Sequence, residues 1–281
     1  MKANKANKAN KELGQHFLKD HNTKMKIVSD HQEEFQLHPP LLVIEVGPGE
    51  GAITAPLCER LKSFALPPKL LLFEFDRRFE ERLLALDGVK SENIIWGDAL
   101  AINFKTFSLT PPSVWLVSNL PYNISAPLFI NFLQAPALTH LTLMFQKEVA
   151  DKILDVHGMG SLHALSSVYL ECKKLINVAP GAFSPPPQVE STVLSFKRLE
   201  VPLLPYEEFS SFEKFLRALF KWRRKQLQKI LRTLYPQLQT LSILGEHAIL
   251  PNRRPEEISL PQLLGLYQSI KKSSRQNSPS V

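Results

Sequence analysis

A glycine-rich turn at the end of a short apolar run is the feature that most limits the possible folds of this chain. The run covers residues 41–46, and residues 47–51 follow it as Gly-Pro-Gly-Glu-Gly. A buried strand that ends in closely spaced glycines is typical of the first strand of an α/β domain, because glycine lets the backbone turn tightly into the next helix. The same glycines allow a ligand to approach the backbone closely.

Four further apolar runs follow, and segments with helical spacing separate them. The runs cover residues 70–75, 93–96, 114–118 and 141–145, and helical spacing occurs in residues 52–62 and 77–86. Strands that alternate with helices predict a parallel, doubly wound α/β sheet with helices on both faces. Ser125 is expected to cap another helix, with Pro127 in its first turn. Residues 189–196 are expected to close the sheet as a late, antiparallel strand.

The character of the chain changes after residue 199, and this change predicts a second domain. Pro202 and Pro205 mark a linker, and two apolar patterns with helical spacing follow it. The patterns are formed by Phe212, Phe215, Leu216, Leu219 and Phe220, and by Leu227, Ile230, Leu231 and Leu234. We therefore expect a larger α/β domain over residues 12–200 and a smaller all-α domain over residues 203–272. Residues 1–11 and 273–281 are expected to be disordered tails, of which the first is basic.

The charge of the chain indicates a polyanionic partner. The 281 residues carry a formal net charge of +7. Residues 214–232 contain many lysines and arginines and no acidic residue. Because the apolar residues of this predicted helix would face the domain core, its charges would project outward, where phosphates can be bound. Arg223, Arg224 and Lys225 are the predicted nucleic-acid contacts.

Several classes of protein are excluded by other features. No apolar run is long enough for a membrane span, and the N-terminus lacks the apolar segment of a secretory signal. Cys58 and Cys172 cannot build a disulfide framework, and neither lies in a pair motif that would suggest zinc. The eight histidines are scattered along the sequence. We expect a cytoplasmic protein with no membrane contact and no metal ion.

Acidic residues after the second and third runs are expected to meet the glycine turn, because the carboxyl ends of parallel strands share one edge of a sheet. Glu74 can accept two hydroxyl hydrogen bonds from a ribose, and Asp76 competes with it for this role. Asp98 can accept a hydrogen bond from the amine of an adenine. The predicted nucleoside-cofactor site therefore contains Gly47, Gly49, Glu74, Asp98 and Ala99. Such a site serves an NAD-dependent dehydrogenase as well as a methyltransferase.

The sequence Asn119-Leu120-Pro121-Tyr122, at the end of the fourth run, predicts a grip for a planar amine. An aromatic amine is a poor nucleophile, because its lone pair delocalises into the ring. The side-chain oxygen of Asn119 and a following main-chain carbonyl can each accept one N–H, which draws the nitrogen toward a tetrahedral shape. Pro121 stiffens the turn, and Tyr122 offers a ring for base stacking worth roughly 1–3 kcal/mol. A nucleoside cofactor beside this grip indicates methyl transfer to an adenine.

Taken in order along the chain, these motifs resemble those of the ribosomal RNA small-subunit adenine N6,N6-dimethyltransferase family. Residues 13–20, 146–149 and 182–189 also match the family's motifs. The resemblance implies a Rossmann-like, class I S-adenosylmethionine methyltransferase sheet with a smaller C-terminal all-α domain that contacts RNA. It also implies that Gln15, His16 and Leu18 contact the cofactor and that Phe183 lines the pocket of the target base. The family usually has Asn at the position of His16, and either residue can donate a hydrogen bond to the cofactor.

The activity that the resemblance implies is the transfer of methyl groups to two adjacent adenosines near the 3′ end of small-subunit (16S) rRNA, in a pre-30S subunit. Three related alternatives stay open: a large-subunit rRNA adenine methyltransferase of the antibiotic-resistance type, a DNA adenine methyltransferase and a non-catalytic ribosome assembly factor. Leu120 and the unbroken prolines at residues 185–187 favour the small-subunit type. The intact motif from Asn119 to Tyr122 argues against a protein that only binds RNA.

Overall fold

The structure is a computed structural model that describes residues 15–107, 113–156, 158–222 and 225–276. Its strands are β1 (Phe17–Leu18), β2 (Leu42–Val46), β3 (Lys69–Glu74), β4 (Ile94–Trp96), β5 (Val114–Asn119), β6 (Leu138–Gln146), β7 (Leu170–Val178), β8 (Phe183–Ser184) and β9 (Ser191–Arg198). Its α-helices are α1 (His21–Val28), α2 (Gln32–Leu37), α3 (Thr54–Lys62), α4 (Glu80–Leu84), α5 (Ser125–Leu133), α6 (Lys147–Leu154), α7 (Ser161–Ser167), α8 (Phe209–Phe220), α9 (Leu227–Leu234), α10 (Thr240–Glu246) and α11 (Leu260–Gln276).

Seven strands form one mixed sheet in the order β4-β3-β2-β5-β6-β9-β7. The first five run parallel to one another, and β9 is antiparallel to both β6 and β7. The two short strands β1 and β8 pair separately as an antiparallel ribbon. The predicted Rossmann-like α/β sheet with a late antiparallel strand is therefore confirmed.

The central strands are buried along their whole length. All five residues of β2 and the first five residues of β5 are buried, since helices cover both faces of the sheet. Trp115 of β5 is fully buried, and its Nε1 donates a hydrogen bond to Thr142 Oγ1 of β6 at 2.9 Å. Burial on both faces explains why these strands are uninterrupted apolar runs in the sequence, and it gives the sheet a rigid edge.

Some of the predicted boundaries are corrected by the structure. Strand β7 was not predicted, and residues 77–79 form a 3-10 helix ahead of α4 instead of part of one longer helix. Ser125 is the first residue of α5 and does not cap it, because its hydroxyl instead donates to the carbonyl of Tyr122 at 3.2 Å. The N-cap of α5 is Ile124, which makes no side-chain capping bond. Pro127 does lie in the first turn, as predicted.

The chain separates into two compact units, and their boundary differs from the predicted one. One unit contains the chain up to Ala150 together with Leu170–Glu200, and the other contains Asp151–Tyr169 together with Val201 onward. Residues 151–169 thus group with the C-terminal unit, although the boundary predicted at residue 200 assigned them to the α/β domain. Within that unit α7 packs on α8, and the Leu203 N–H donates to the Val168 carbonyl at 2.9 Å. A proline linker marks only the second entry of the chain into this unit.

The C-terminal unit is helical, and its core contains the apolar residues predicted for it. Phe212, Phe215 and Leu219 of α8 are buried, as are Leu227 and Ile230 of α9. Among the described residues, no helix combines the length and the apolar character that crossing a bilayer requires.

The predicted basic helix is interrupted in the structure. Helix α8 ends at Phe220 and α9 begins at Leu227, so that Lys221, Trp222 and Lys225 lie in the connection between them. The connection is a turn in which the Lys225 N–H donates to the Trp222 carbonyl at 2.8 Å. Arg223 and Arg224 lie outside the described residues. The apolar pattern of the sequence does not reveal this interruption, because the helical spacing in α9 continues the helical spacing in α8.

Candidate active site

The predicted site residues lie on four neighbouring strands of the sheet. Asp98 follows β4, Glu74 ends β3, Gly47 follows β2 and Asn119 ends β5. Because these strands are parallel and adjacent, their carboxyl ends bring the four residues to one edge of the sheet. All four line a single cavity of about 270 Å³.

The glycine turn after β2 adopts the backbone conformation that its sequence predicts. Gly47 and Gly49 have φ angles of 68° and 54°, which residues with a Cβ atom rarely adopt. The Gly47 N–H donates to the Phe73 carbonyl of β3 at 2.8 Å, which holds the turn against the neighbouring strand. A Cβ atom on Gly47 would lie only 3.8 Å from the ring of Pro121. The glycine turn and the motif after β5 are therefore neighbours, and it is the positive φ of Gly47 that requires a glycine there.

Glu74 is held in the cavity wall by backbone amides. Its Oε2 accepts the Gly49 N–H at 2.8 Å, and its Oε1 accepts the N–H groups of Phe75 at 2.9 Å and Asp76 at 2.8 Å. Burial raises the pKa of the Glu74 carboxyl, while the three N–H groups favour its charged form and oppose that rise. The carboxylate thus links β3 to the glycine turn and keeps a lone pair on Oε2 for a ligand hydroxyl.

Asp76, the competitor for the ribose contact, faces a different set of partners. Its carboxylate accepts hydrogen bonds from the Arg78 guanidinium and, at 3.1 Å, from Gln15 Nε2. The hydrogen bond from Arg78 lowers the pKa of Asp76. Asp76 is not among the residues that line the cavity, whereas Glu74 is. The geometry therefore favours Glu74.

Asp98 caps a short helix beside the cavity, where it was predicted to bind the adenine amine. Its Oδ1 accepts the Leu100 N–H at 2.9 Å and caps the 3-10 helix formed by Ala99–Ala101. The residue is exposed and lines the cavity beside the buried Ala99. A carboxylate that caps a turn with one oxygen can still accept a ligand amine with the other.

Asn119 is oriented by the N-terminal segment of the chain. Its Nδ2 donates a hydrogen bond to the main-chain carbonyl of His16 at 3.2 Å. Because this bond uses the donor end of the amide, the acceptor Oδ1 is left for another partner. The next residue, Leu120, is 1% exposed and fixes the backbone of the motif in the core. Asn119 and Leu120 both line the cavity, and their contact with a target amine remains a prediction.

Tyr122 is half-buried and is held at both ends. Its hydroxyl shares a hydrogen bond of 2.7 Å with Ser191 Oγ of β9, and burial raises the pKa of the phenol. The His16 ring stacks on the Tyr122 ring, with 5.3 Å between the centroids and 28° between the planes. His16 Nδ1 donates to the Pro185 carbonyl at 2.8 Å. One face of Tyr122 is therefore covered by His16.

The N-terminal residues Gln15, His16 and Leu18 all line the cavity, as predicted for a cofactor-covering segment, but Phe183 does not. Phe183 is 3% exposed, belongs to the hydrophobic core and pairs with Leu18 across the β1–β8 ribbon. The structure does not bring its ring to the cavity, so contact between Phe183 and a target base remains a prediction.

Among the cavity residues that the sequence did not single out individually are two aromatic ones. Phe17 and Phe75 line the cavity, and Phe75 is 63% exposed at the end of β3. An aromatic residue directly after the strand-end acid is the signal that could have revealed Phe75. Glu45 is 1% exposed and accepts a hydrogen bond from Thr54 Oγ1 at 2.7 Å. Burial raises the pKa of Glu45 to about 8.

Only one of the three predicted RNA contacts can be described. Lys225 is exposed, and its Nζ lies 4.0 Å from the centroid of the Trp222 ring. Lys221 Nζ approaches the same ring at 5.7 Å. A tryptophan ring between two lysines forms a basic and aromatic surface on the C-terminal unit. Its contact with RNA remains a prediction.

Comparison with known sequences finds one family model that matches nearly the whole chain. The model described as ribosomal RNA adenine dimethylase matches residues 6–272. The ribosomal RNA small subunit methyltransferase A of Syntrophotalea carbinolica is 35% identical over 265 residues, which are 92% of this chain and 96% of the relative. The protein of the same name from Malacoplasma penetrans is 33% identical over 253 residues, with 89% and 88% covered.

Solved structures share the fold. A dimethyladenosine transferase from Plasmodium falciparum superimposes with a TM-score of 0.71 at 23% identity, covering 92% of this chain and 98% of that chain. The 23S rRNA methyltransferase ErmE superimposes with a TM-score of 0.63 at 24% identity, covering 91% and 99%. At these identities the two structures support the architecture alone.

Proposed function

Because this chain belongs to the ribosomal RNA adenine dimethylase family, we propose that it transfers methyl groups from S-adenosylmethionine to two adjacent adenosines near the 3′ end of small-subunit (16S) rRNA. The products are N6,N6-dimethyladenosines. The observation that carries the proposal is the position of the motif from Asn119 to Tyr122. It lies at the end of β5, in the same cavity as the glycine turn and Glu74. An amine grip beside a nucleoside site is what this reaction requires.

The cavity residues fit S-adenosylmethionine as the methyl donor. Glu74 accepts the ribose hydroxyls, Asp98 accepts the adenine amine, and the glycine turn lets the nucleoside approach the backbone. When bound, the donor supplies an electrophilic methyl group on a positively charged sulfur. Gln15, His16 and Leu18 also line the cavity and would limit the access of water to the bound donor.

Catalysis rests on how the chain positions the target amine. Asn119 Oδ1 and a following main-chain carbonyl each accept one N–H of the adenine, so that the nitrogen lone pair points at the methyl carbon. With S-adenosylmethionine bound, the amine held by Asn119 would take the methyl group, and the electron pair of the broken carbon–sulfur bond would leave with the donor. The nitrogen loses its proton to solvent after the transfer, and no general base is needed before it. Tyr122 stacks on the flipped base.

The RNA substrate is proposed to be presented within a pre-30S subunit in the cytoplasm. The relatives with more than 30% identity are named for the small subunit, and the net charge of +7 suits a polyanion. Lys225 and its neighbours in residues 221–225 supply phosphate contacts. A large-subunit rRNA target, a DNA target and a purely binding role are favoured by no specific observation.

Tritiated methyl transfer tests the proposal. The protein is incubated with labelled S-adenosylmethionine and, in parallel, with small subunits, large subunits, naked rRNA and DNA. We expect incorporation into small-subunit rRNA, with N6,N6-dimethyladenosine as the labelled nucleoside after digestion. Incorporation into large subunits or DNA alone would reject the small-subunit assignment. If folded protein that binds the cofactor labels none of the four substrates, the assignment as a methyltransferase is rejected.

A further inference from the structure

Two histidines and a glutamate from distant parts of the sequence meet in the α/β unit, away from the cavity. His31 immediately precedes α2, Glu34 lies in the first turn of α2, and His140 lies near the amino end of β6. One potential ligand atom from each residue lies within 4.8 Å of the other two. We call these three residues the His-Glu-His cluster. None of them lines the cavity of the active site.

One distance within the cluster is that of two ligands around one ion. His140 Nε2 lies 3.3 Å from Glu34 Oε2. Two ligands bound at 2.0–2.2 Å to a tetrahedral ion are themselves roughly 3.3 Å apart. The two imidazole rings are packed edge to face, with 4.6 Å between their centroids. Glu34 and His140 are therefore spaced for one ion already, and the ligand atom of His31 lies within 4.8 Å of both.

His140 supplies an independent indication of a ligand. The residue is 9% exposed, and its Nε2 makes no hydrogen bond among the described residues, although Glu34 Oε2 lies 3.3 Å from it. Its Nδ1 lies 3.1 Å from Thr139 Oγ1 and can donate to that hydroxyl. Such a bond leaves Nε2 unprotonated, which is the usual state of a metal-bound histidine. An ion would satisfy a buried nitrogen that is otherwise left without a partner.

Charged groups of both signs surround the cluster. Asp30 is 5% exposed, and its Oδ2 lies 3.1 Å from His31 Nε2. Lys197 Nζ contacts Glu34 Oε1 at 2.9 Å, and the other carboxylate oxygen, Oε2, is the one near His140. Lys173 also acts on His31, and the Arg60 guanidinium acts on Asp30, so a bound ion would share these carboxylates with three positively charged side chains. His31 has a φ angle of 56°, a conformation that histidine tolerates better than most residues and that carries the chain from α1 into α2.

We propose that the His-Glu-His cluster binds one divalent transition-metal ion of the zinc class. His31, Glu34 and His140 are the ligands, and Asp30 or a water molecule completes the coordination. Two imidazoles and a carboxylate suit zinc better than magnesium or calcium, which prefer oxygen ligands alone. The ion ties the connection between α1 and α2 to β6, and its role is structural. This inference does not depend on the proposed function, and it revises the expectation that the chain holds no metal.

Zinc binding to the untagged, full-length protein tests the inference. The protein is stripped with a chelator and dialysed, and bound zinc is measured by mass spectrometry after equilibration with zinc. We expect one zinc per chain and a rise in Tm of about 5–10 °C at zinc concentrations near a hundredfold Kd. Cobalt should give the intense visible absorption of a tetrahedral site. Failure to bind zinc with this stoichiometry would overturn the proposal.

Four variants locate the ion. Glu34→Gln and His31→Asn should each weaken zinc binding at least tenfold, and asparagine suits the backbone conformation of residue 31. Glu33→Gln is the matched control, because Glu33 is the exposed neighbour on the same helical turn, and it should bind zinc normally. Lys197→Met removes the ion pair with Glu34 but no ligand, so zinc affinity should stay unchanged or increase.

The outcomes separate a metal site from a metal-free polar cluster. If the cluster holds no metal, Glu34→Gln and Lys197→Met would lower Tm by similar amounts, and zinc would not change the Tm of either variant. Zinc binding that persists undiminished in both ligand variants would assign the ion to another part of the chain and overturn the proposal. If His31→Asn fails to fold, Glu34→Gln carries the same test, because the side chain of Glu34 is 33% exposed.

Discussion

Replacing Asn119 with alanine separates the handling of the amine from the binding of the cofactor. Asn119 Nδ2 donates to the His16 carbonyl, and its Oδ1 is left to accept an N–H of the target adenine. The Asn119→Ala change removes both contacts. Because the oxygen acts on the amine and not on the bulk of the cofactor, we expect methyl transfer to be lost while binding of S-adenosylmethionine largely survives.

The two losses differ enough in size to be measured apart. Removing one preorganised polar contact to a reacting group lowers kcat by about 10²–10³, or roughly 2.7–4 kcal/mol. Removing the hydrogen bond to His16 costs about 0.5–1.5 kcal/mol, which changes an affinity tenfold at most. The rate of transfer should therefore fall at least ten times further than the affinity for the cofactor.

The assay is single-turnover methyl transfer to small subunits at saturating S-adenosylmethionine, with calorimetry for the cofactor Kd. Asn131→Ala is the matched control, because Asn131 lies on α5 in the same unit and does not line the cavity. Both of its values should stay near those of the wild type. Near-normal transfer by Asn119→Ala would refute the amine grip, and equal losses of rate and affinity would make Asn119 a cofactor contact instead.

Four further predictions concern single features of the molecule. Glu74→Ala should raise the calorimetric Kd for S-adenosylmethionine at least tenfold, because a charge-assisted hydrogen bond contributes roughly 1.5–3 kcal/mol; an unchanged Kd would move the ribose contact elsewhere. Tyr122→Ala should impair methyl transfer more than cofactor binding. Phe183→Ala should do the same and should also lower Tm by several degrees, because the Phe183 ring lies in the core. Lost transfer with an unchanged Tm would instead place Phe183 in the pocket of the target base. Changing all three basic residues of 223–225 to glutamine should flatten the slope of log affinity against log salt for small subunits by about 0.7–0.9 per lost phosphate contact, without altering cofactor affinity. The pKa of Glu45 is raised to about 8 from 4.5, so its contribution to stability is fully present below pH 4.5 and is lost as the pH rises through 8. In denaturant unfolding, the free energy of unfolding of Glu45→Gln should rise relative to that of the wild type by up to about 1.4 kcal/mol per pH unit across this range. Parallel pH profiles of the two proteins would contradict this reasoning.

The parallel strands could be predicted because burial on both faces makes each of them a continuous apolar run. Strand β7 could not, because it lies at the edge of the sheet and its burial pattern is mostly exposed or intermediate. It carries Glu171, Lys173 and Lys174, and charged residues on an edge strand discourage pairing with other chains. A sequence pattern of that kind is also typical of a loop, so only the pairing with β9 identifies it as a strand.

The positions of the site residues followed from the sequence, but their mutual contacts did not. Short motifs at strand ends fix Gly47, Glu74 and Asn119 on one sheet edge, since the sheet is parallel. The His-Glu-His cluster has no such signal, because its members belong to a helix start and a distant strand that only the folded chain brings together. The interrupted basic segment was missed for a related reason, since helical periodicity continues on both sides of the turn at Trp222.

The contacts of the N-terminal segment join the two halves of the active site. Gln15 bonds to Asp76 beyond the end of β3, while the carbonyl of His16 orients Asn119 and its ring covers one face of Tyr122. The ring of Phe17 lies close to Gly49. One short stretch of chain therefore contacts both the glycine turn and the amine grip. Displacing this segment would release the amide of Asn119 from its hydrogen bond to His16. Order of the segment that covers the cofactor is therefore a physical condition for the orientation of the amine grip.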